Sequence, residues 1–179
     1  MDVNVKFAKV KEGAIIPSKR DEDAGFDIYA NFKEDYLVIN PFTTKMIPTG
    51  IASACDKEYA LVLRERGSTG SKGIALRCGI IDSGYRNEWF VGLTNTTNKI
   101  LYISKFDKME TMKKVFKNDN LLLSEDVIDE MAIVYPYTKA IAQALIIPVP
   151  HTTIEEIPYE ELCTIKSERG MGKLGSSNK

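Results

Sequence analysis

The sequence predicts a mainly β domain of the sandwich or barrel class, and three observations carry that reading. Apolar and polar residues alternate over short runs, glycines and prolines punctuate those runs, and helical periodicity is confined to one internal stretch. In chain order, Val3, Val5 and Phe7 alternate with polar neighbours, and β-rich runs follow at 26–30, 36–39, 59–64, 89–94 and 99–104. Between them stand Pro17, Gly25, Asn40-Pro41, Pro48, Gly50, Gly67, Gly70, Gly79 and Gly84, residues that set the φ angles tight turns need. Residues 107–131 differ in texture: Met109, Met112 and Phe116 follow helical spacing, and Ser124 is placed to cap a second short helix starting at Glu125. This stretch reads as an insertion. Its apolar stripe is either the inner face of a packed helix or a surface for a protein partner. The β pattern resumes at 140–148, and after a last apolar run at 162–165 the tail SERGMGKLGSSNK has no apolar periodicity and is expected to be disordered or ordered by a ligand.

The bulk properties limit the function. A chain of 179 residues fits one domain spanning 1–179. With 24 basic against 25 acidic residues there is no overall field to hold a long nucleic acid, so direct nucleic-acid binding is not expected and an anionic ligand must be gripped by a local cluster. The N-terminal run is too charged for a signal peptide, and no apolar run reaches bilayer length, so no membrane contact and a cytoplasmic location are expected. Cys55, Cys78 and Cys163 are scattered without a Cys-x-x-Cys pair and read as reduced thiols, and His151, the only histidine, cannot build a multi-histidine metal site.

Three glycine-rich stretches carry candidate chemistry. RERGSTGSKGI, at 64–74, lacks the Gly-Lys-Ser/Thr order of a Walker loop, yet Arg66 beside backbone amides and hydroxyls could hold phosphate oxygens; a plain surface turn explains it equally well. Gly170, Gly172 and Gly175 have dinucleotide-fingerprint spacing, but too little chain follows for a strand–helix unit. Arg169, Lys173 and Ser176 on that arm could instead close over a polyphosphate, or the arm could be a frayed terminus. In CGIIDSGYRNEWFVGLTN, at 78–95, Asp82 leaves an apolar strand at a hairpin turn, where an aspartate serves as turn former or as an exposed carboxylate.

Taken in order, these stretches resemble the five motifs of the trimeric dUTPase family. Ala24-Gly25-Phe26-Asp27-Ile28 looks like the first, Arg66-Gly67-Ser68 with Lys72 the second, and Gly79 to Arg86 the third. Ile141-Ala142-Gln143 and the run Arg169 to Ser177 look like the fourth and fifth. The resemblance implies a jelly roll assembled as a homotrimer, with the insertion at about 107–137 similar to those of phage members and a C-terminal arm at about 167–179. The location it suggests is a phage-infected or prophage-carrying bacterium. It also implies hydrolysis of dUTP to dUMP and pyrophosphate with magnesium, limiting uracil in DNA and supplying dUMP. Asp82 would be the general base, Asp27 the residue reaching magnesium through water, and Arg66, Gly67, Ser68 and Gln143 the phosphate site. Tyr85 would exclude a ribose hydroxyl, Gly79 would belong to the hairpin whose backbone reads uracil, and Arg169, Leu174, Gly175 and Ser176 would close over the substrate.

Four positions depart from the family pattern. Gly67 replaces a serine, Ala140 an arginine, Asn87 a glycine, and Leu174 the phenylalanine that stacks on uracil, a change of about 1 kcal/mol. dCTP deaminase shares a related hairpin, but Gly92 stands where it carries its catalytic glutamate, leaving no acid–base group for deamination. A nucleotide-gated binding protein acting through the insertion is the alternative of a different class.

Overall fold

The structure, a computed structural model, describes residues 3–77 and 79–172. It forms two compact units, Met1–Val149 and Pro150–Lys179. The first is mainly β. Its strands are β1 (Val5–Lys9), β2 (Phe26–Ile28), β3 (Tyr36–Ile39), β4 (Thr44–Pro48), β5 (Ile51–Cys55), β6 (Tyr59–Arg64), β7 (Ile74–Leu76), β8 (Ile80–Ile81), β9 (Phe90–Asn95), β10 (Ile100–Ser104), β11 (Ala132–Pro136) and β12 (Ala142–Pro148). Short helices interrupt them: α1 (Gly67–Gly70), α2 (Lys108–Phe116) and α3 (Glu125–Met131).

The sheets run in the orders β2-β12-β6-β8, β4-β9-β7, β11-β10-β3 and β1-β5. All strand pairs are antiparallel except β10 with β11, and that exception is the insertion's signature: a parallel neighbour needs a crossover, which α2 and α3 supply. Ile28, Leu61, Leu63, Val91, Leu93, Trp89, Ile141 and Ala144 belong to the buried core.

The strand expectations at 36–39 and 59–64 hold residue for residue, and those at the N-terminus, 26–30, 89–94, 99–104 and 140–148 are each shifted or trimmed by one or two residues. β4, β5, β7 and β11 were not legible, whereas β8 is the apolar strand expected before Asp82. The apolar run at 162–165 belongs instead to a helix, α4 (Tyr159–Thr164), in the second unit. The stretch YEELCTI reads as a strand only through its last four residues, while Glu160 and Glu161 in the first turn complement the helix dipole. Beyond α4 the chain makes two successive turns, with Gly170 N–H donating to the Ser167 carbonyl and Gly172 N–H to that of Arg169. Among the described residues, no helix is long and apolar enough to cross a membrane.

The insertion builds its own small core. Asp107 caps α2 by accepting from Glu110 N–H, and the expected Ser124 cap forms, its hydroxyl accepting from Val127 N–H. Met112, Ile128 and Ala132 are buried with Tyr102 of β10, and Met109, Val115 and Val134 pack around them. Lys108 bridges the helices through Asp129 and Glu125. The Met109–Met112 face is therefore internal, but Phe116 leaves it: Lys117 turns left-handed to end α2, and the Phe116 ring is 51% exposed. Met112→Ala is expected to cost about 2–5 kcal/mol in chemical denaturation, whereas Phe116→Ser should change stability by less than about 0.5 kcal/mol. Equal losses would contradict this division of faces.

Candidate active site

β12 collects the first group of candidate residues. In its register Gln143 stands opposite Asp27 of β2 on one side and Arg64 of β6 on the other. Gln143 is pinned by its amide, which donates to the Glu65 carbonyl at 2.8 Å. Gly25 is required beside it, since a Cβ there would lie 2.6 Å from Gln143 Oε1. Two residues past β6, Arg66 turns back onto Asp27, with Nε 2.9 Å from Oδ1 and Nη2 donating to Oδ2 at 3.3 Å. This two-pronged geometry suits the planar guanidinium. The remaining Arg66 nitrogen donates to Ser68 Oγ at 3.3 Å and to the Ala140 carbonyl at 3.4 Å. Thr69 fixes the loop: its buried hydroxyl accepts from Arg66 N–H and donates to the Arg66 carbonyl. Asp27, Arg66, Gln143 and Gly25 line an open, polar cleft of 690 Å³ with the segment that carries Lys19, Arg20 and Asp23.

Two of the departures acquire a physical meaning here. Nothing lies within 4 Å of where a Gly67 Cβ would stand, so sterics do not forbid a serine there. Ala140 is buried, and its carbonyl receives both the Tyr135 hydroxyl at 2.7 Å and Arg66.

The second group lines a different cleft. β8 pairs with β6 through Leu61–Ile81 and Val62–Ile80, and Asp82 follows directly. Tyr85 N–H closes the turn onto the Asp82 carbonyl at 3.0 Å. Around it lie Leu63, Gly79, Ile80, Ile81, Tyr85 and, from β4 and the start of β9, Met46 and Phe90, enclosing 510 Å³. Asp82 is the one carboxylate in this mostly apolar lining. Gly79 is there because Leu63 N–H donates to its carbonyl at 2.6 Å and a Cβ would stand 3.1 Å from the Leu63 carbonyl oxygen. The Tyr85 hydroxyl donates to the Glu88 carbonyl at 3.1 Å, which sets the ring's angle. Arg86 ties the turn to β5 through the carbonyls of Ser53 and Ser83, and Glu88 accepts from Gly50 N–H while pairing with Lys11.

The candidates thus separate into a polar cleft and an apolar one, with β6 running between their walls. Arg169 belongs to the second compact unit. Leu174, Gly175 and Ser176, like Lys173 and Cys78, lie outside the described residues. The sequence reading missed Lys19, Arg20 and Asp23, although a run of charge immediately before Ala24-Gly25 was there to see, and it missed Met46 and Phe90, which only the fold brings to Asp82.

Comparison with known proteins bears on the family and the fold. The dUTPase family model matches residues 11–110, more than half of the sequence and spanning β2 to β10. The chain belongs to the dUTPase family. A deoxyuridine 5'-triphosphate nucleotidohydrolase of Nautilia profundicola is 32% identical over 181 residues, covering 99% of this chain and all of the relative. Among solved structures, the dUTPase of Staphylococcus bacteriophage 80alpha with dUpNHpp superposes with a TM-score of 0.67 at 20% identity, covering 98% of this chain and 99% of that one. A dUTPase variant from phage phi11 of S. aureus, whose structure shows the coordination of a structural Mg(II) ion, gives 0.62 at 18% identity over 88% and 99%. At these identities the phage structures support the dUTPase jelly-roll fold.

Glu65 links Gln143, on the wall of the polar cleft, to Leu76 of β7. Its own backbone N–H and then that of Leu76, which donates to Oε1 at 3.1 Å, hold the carboxyl below the ordinary glutamate range. Because the folded value is depressed, this stabilisation is present above the unfolded value and is lost as pH falls through the folded one. The stability difference between wild type and Glu65→Gln in urea denaturation should therefore shrink on acidification through that interval. A difference independent of pH would contradict the linkage.

Proposed function

We propose that the chain hydrolyses dUTP to dUMP and pyrophosphate, and the observation that carries this reading is the pairing of an apolar cleft holding one carboxylate with a polar cleft holding Arg66, Asp27 and Gln143. Attack at the α-phosphorus needs a water that loses its proton as it forms the new P–O bond. Asp82, projecting from a tightly held turn, takes that proton as general base. The bond from the α-phosphorus to the α,β-bridging oxygen breaks, and pyrophosphate leaves. The reaction lowers the dUTP available for incorporation into DNA and supplies dUMP.

Substrate selection falls to the apolar cleft. The Tyr85 ring, held through its hydroxyl, packs against C2′ of the sugar and leaves no room for a ribose hydroxyl. The hairpin backbone at Gly79 reads the uracil edge, where cytosine would present a donor to a donor. In the polar cleft, Arg66, the amide of Gly67, Ser68 and Gln143 hold the phosphates. Arg169, Leu174, Gly175 and Ser176 close over the substrate and exclude bulk water.

Among the described residues, no group of three His, Cys, Asp or Glu side chains is placed to hold a metal ion. The donor set still fits magnesium, which keeps several waters, takes phosphate oxygens and needs one or two carboxylates. Asp27, one-third exposed on the cleft wall, is that carboxylate and would hold the ion through water. When bound, magnesium neutralises charge on the triphosphate.

The family resemblance implies a homotrimer whose subunits together build each site, and the placement of the two groups in separate clefts of one chain is in keeping with that. Pyrophosphate release with magnesium should occur from dUTP and not from UTP, dCTP or dTTP. Asp82→Asn should reduce kcat about 10²–10⁴-fold. Turnover surviving Asp82→Asn would remove that residue as the base, and absence of turnover in the wild type would sink the proposal.

A second reading is compatible with the first: the insertion engages a protein partner under nucleotide control. Phe116 and Leu122 favour it, being 51% and 86% exposed on a segment whose other apolar residues are largely packed. The 80alpha relative is described as controlling transfer of virulence genes by a G protein-like mechanism. Joint replacement, Phe116→Ser with Leu122→Ser, should leave turnover intact and abolish nucleotide-dependent protein association. Loss of turnover would contradict a separate surface.

A further inference from the structure

The polar cleft is lined by three cationic side chains, Lys19, Arg20 and Arg66, and three carboxylates, Glu22, Asp23 and Asp27. Two of the cations are already engaged. Arg20 is gripped by Asp23 through two hydrogen bonds of 2.9 Å each, and Arg66 by Asp27 in the same two-pronged fashion. The hydrogen bond with Asp23 raises the pKa of Arg20, and that with Arg20 lowers the pKa of Asp23, so each side chain favours the other's charged form.

Lys19 differs. Among the described residues its ammonium pairs with no carboxylate; it donates to the carbonyls of Arg20 and Asp21 at 3.3 and 3.5 Å and stands 5.8 Å from the centroid of the Phe26 ring. Those long carbonyl bonds are weak and easily exchanged, while the ring contact steers the stem. The backbone beneath it is held, with Asp27 N–H donating to the Ser18 carbonyl at 3.0 Å and Asp23 N–H to that of Arg20 at 3.1 Å. A polyphosphate entering this cleft meets an electrically balanced wall, with Arg66 half-neutralised by Asp27 and Glu22 repelling it.

We propose that Lys19 is a phosphate-binding residue, reaching the β- or γ-phosphate of a nucleoside triphosphate in this cleft and supplying the positive charge that Arg66, committed to Asp27, cannot supply alone. The inference rests on the reading of this cleft as the triphosphate site. Lysine suits the task, because a compact ammonium on a flexible stem follows a phosphate as a point charge without a fixed fork geometry. It also accounts for the cleft's function with glycine at 67 and a buried alanine at 140, neither of which offers a polar side chain.

The test compares two ligands that differ only in the phosphates beyond the first. Binding of dUMP and of α,β-imido-dUTP, with magnesium, would be measured by calorimetry for wild type, Lys19→Ala and Lys19→Arg, alongside steady-state kinetics with dUTP. Lys19→Ala should weaken the imido analogue about tenfold and leave dUMP within about twofold, as expected for loss of one charge-assisted contact. KM for dUTP should rise with kcat little changed, the mark of a uniform binding contact. Lys19→Arg should recover most of the loss. Equal weakening of both ligands would indicate a structural role and overturn the proposal, as would no change in either. A wild type that binds neither ligand would instead refute the cleft's assignment, leaving the two failures distinguishable.

Discussion

The register of β12 is the constraint on which the candidate site depends. With Gln143 opposite Asp27 on one flank and Arg64 on the other, three segments distant in sequence meet at one point of the sheet. Strand side chains alternate between faces, so a slip of one residue would turn Gln143 away from Asp27 and bury polar groups in the core. Ala142 and Ala144 lock the setting from the other face, both fully buried. The Gln143 bond to the Glu65 carbonyl carries the register onward to Arg66, and Gly25 leaves the space that Gln143 occupies.

From that point the chemistry divides along β6. Past its C-terminal end lies a cleft in which Arg20 pairs with Asp23 and Arg66 with Asp27, pairings that hold the side chains in place and can exchange partners when an anion or a cation enters. On its other flank, β8 delivers Asp82 to a mostly apolar wall, with the following turn clamped by Tyr85, Arg86 and Glu88. The same core therefore serves two surfaces with opposite requirements: one that holds charge, and one that presents shape and a single carboxylate. Neither surface alone contains every group that the proposed hydrolysis calls for, in keeping with the site shared between subunits that the family resemblance implies.

Much of this was legible in the sequence, and the gaps have identifiable causes. β3 and β6 were readable because their apolar runs are bounded by strong turn formers. β4 ends on Pro48, and β5 is built from small residues, IASAC, so neither shows an alternating pattern despite pairing with β9 and β1. β7 is three residues long and follows a glycine-rich loop that dominates the reading. In the insertion, Ser124 announced its helix through its cap, whereas the exposure of Phe116 depends on where α2 ends, which the left-handed Lys117 determines. At the site, Arg66 and Asp82 stood out as residues, and Asp27 and Gln143 were recognisable only through the family resemblance. Their separation into two clefts was not, because it follows from which strands pair. Lys19 went unnoticed because a charged run before a strand has the look of a solvated loop.

The measurement that tests the composite site most directly is subunit mixing. Arg66→Ala and Asp82→Asn chains, each inactive alone, would be co-refolded and assayed for dUTP hydrolysis. If the polar and apolar clefts of different subunits form one site, mixed assemblies contain some sites with an intact Arg66 from one chain and an intact Asp82 from another, and activity returns. If both groups act within one chain, every chain stays broken and the mixture is as inactive as its components, which would contradict the account.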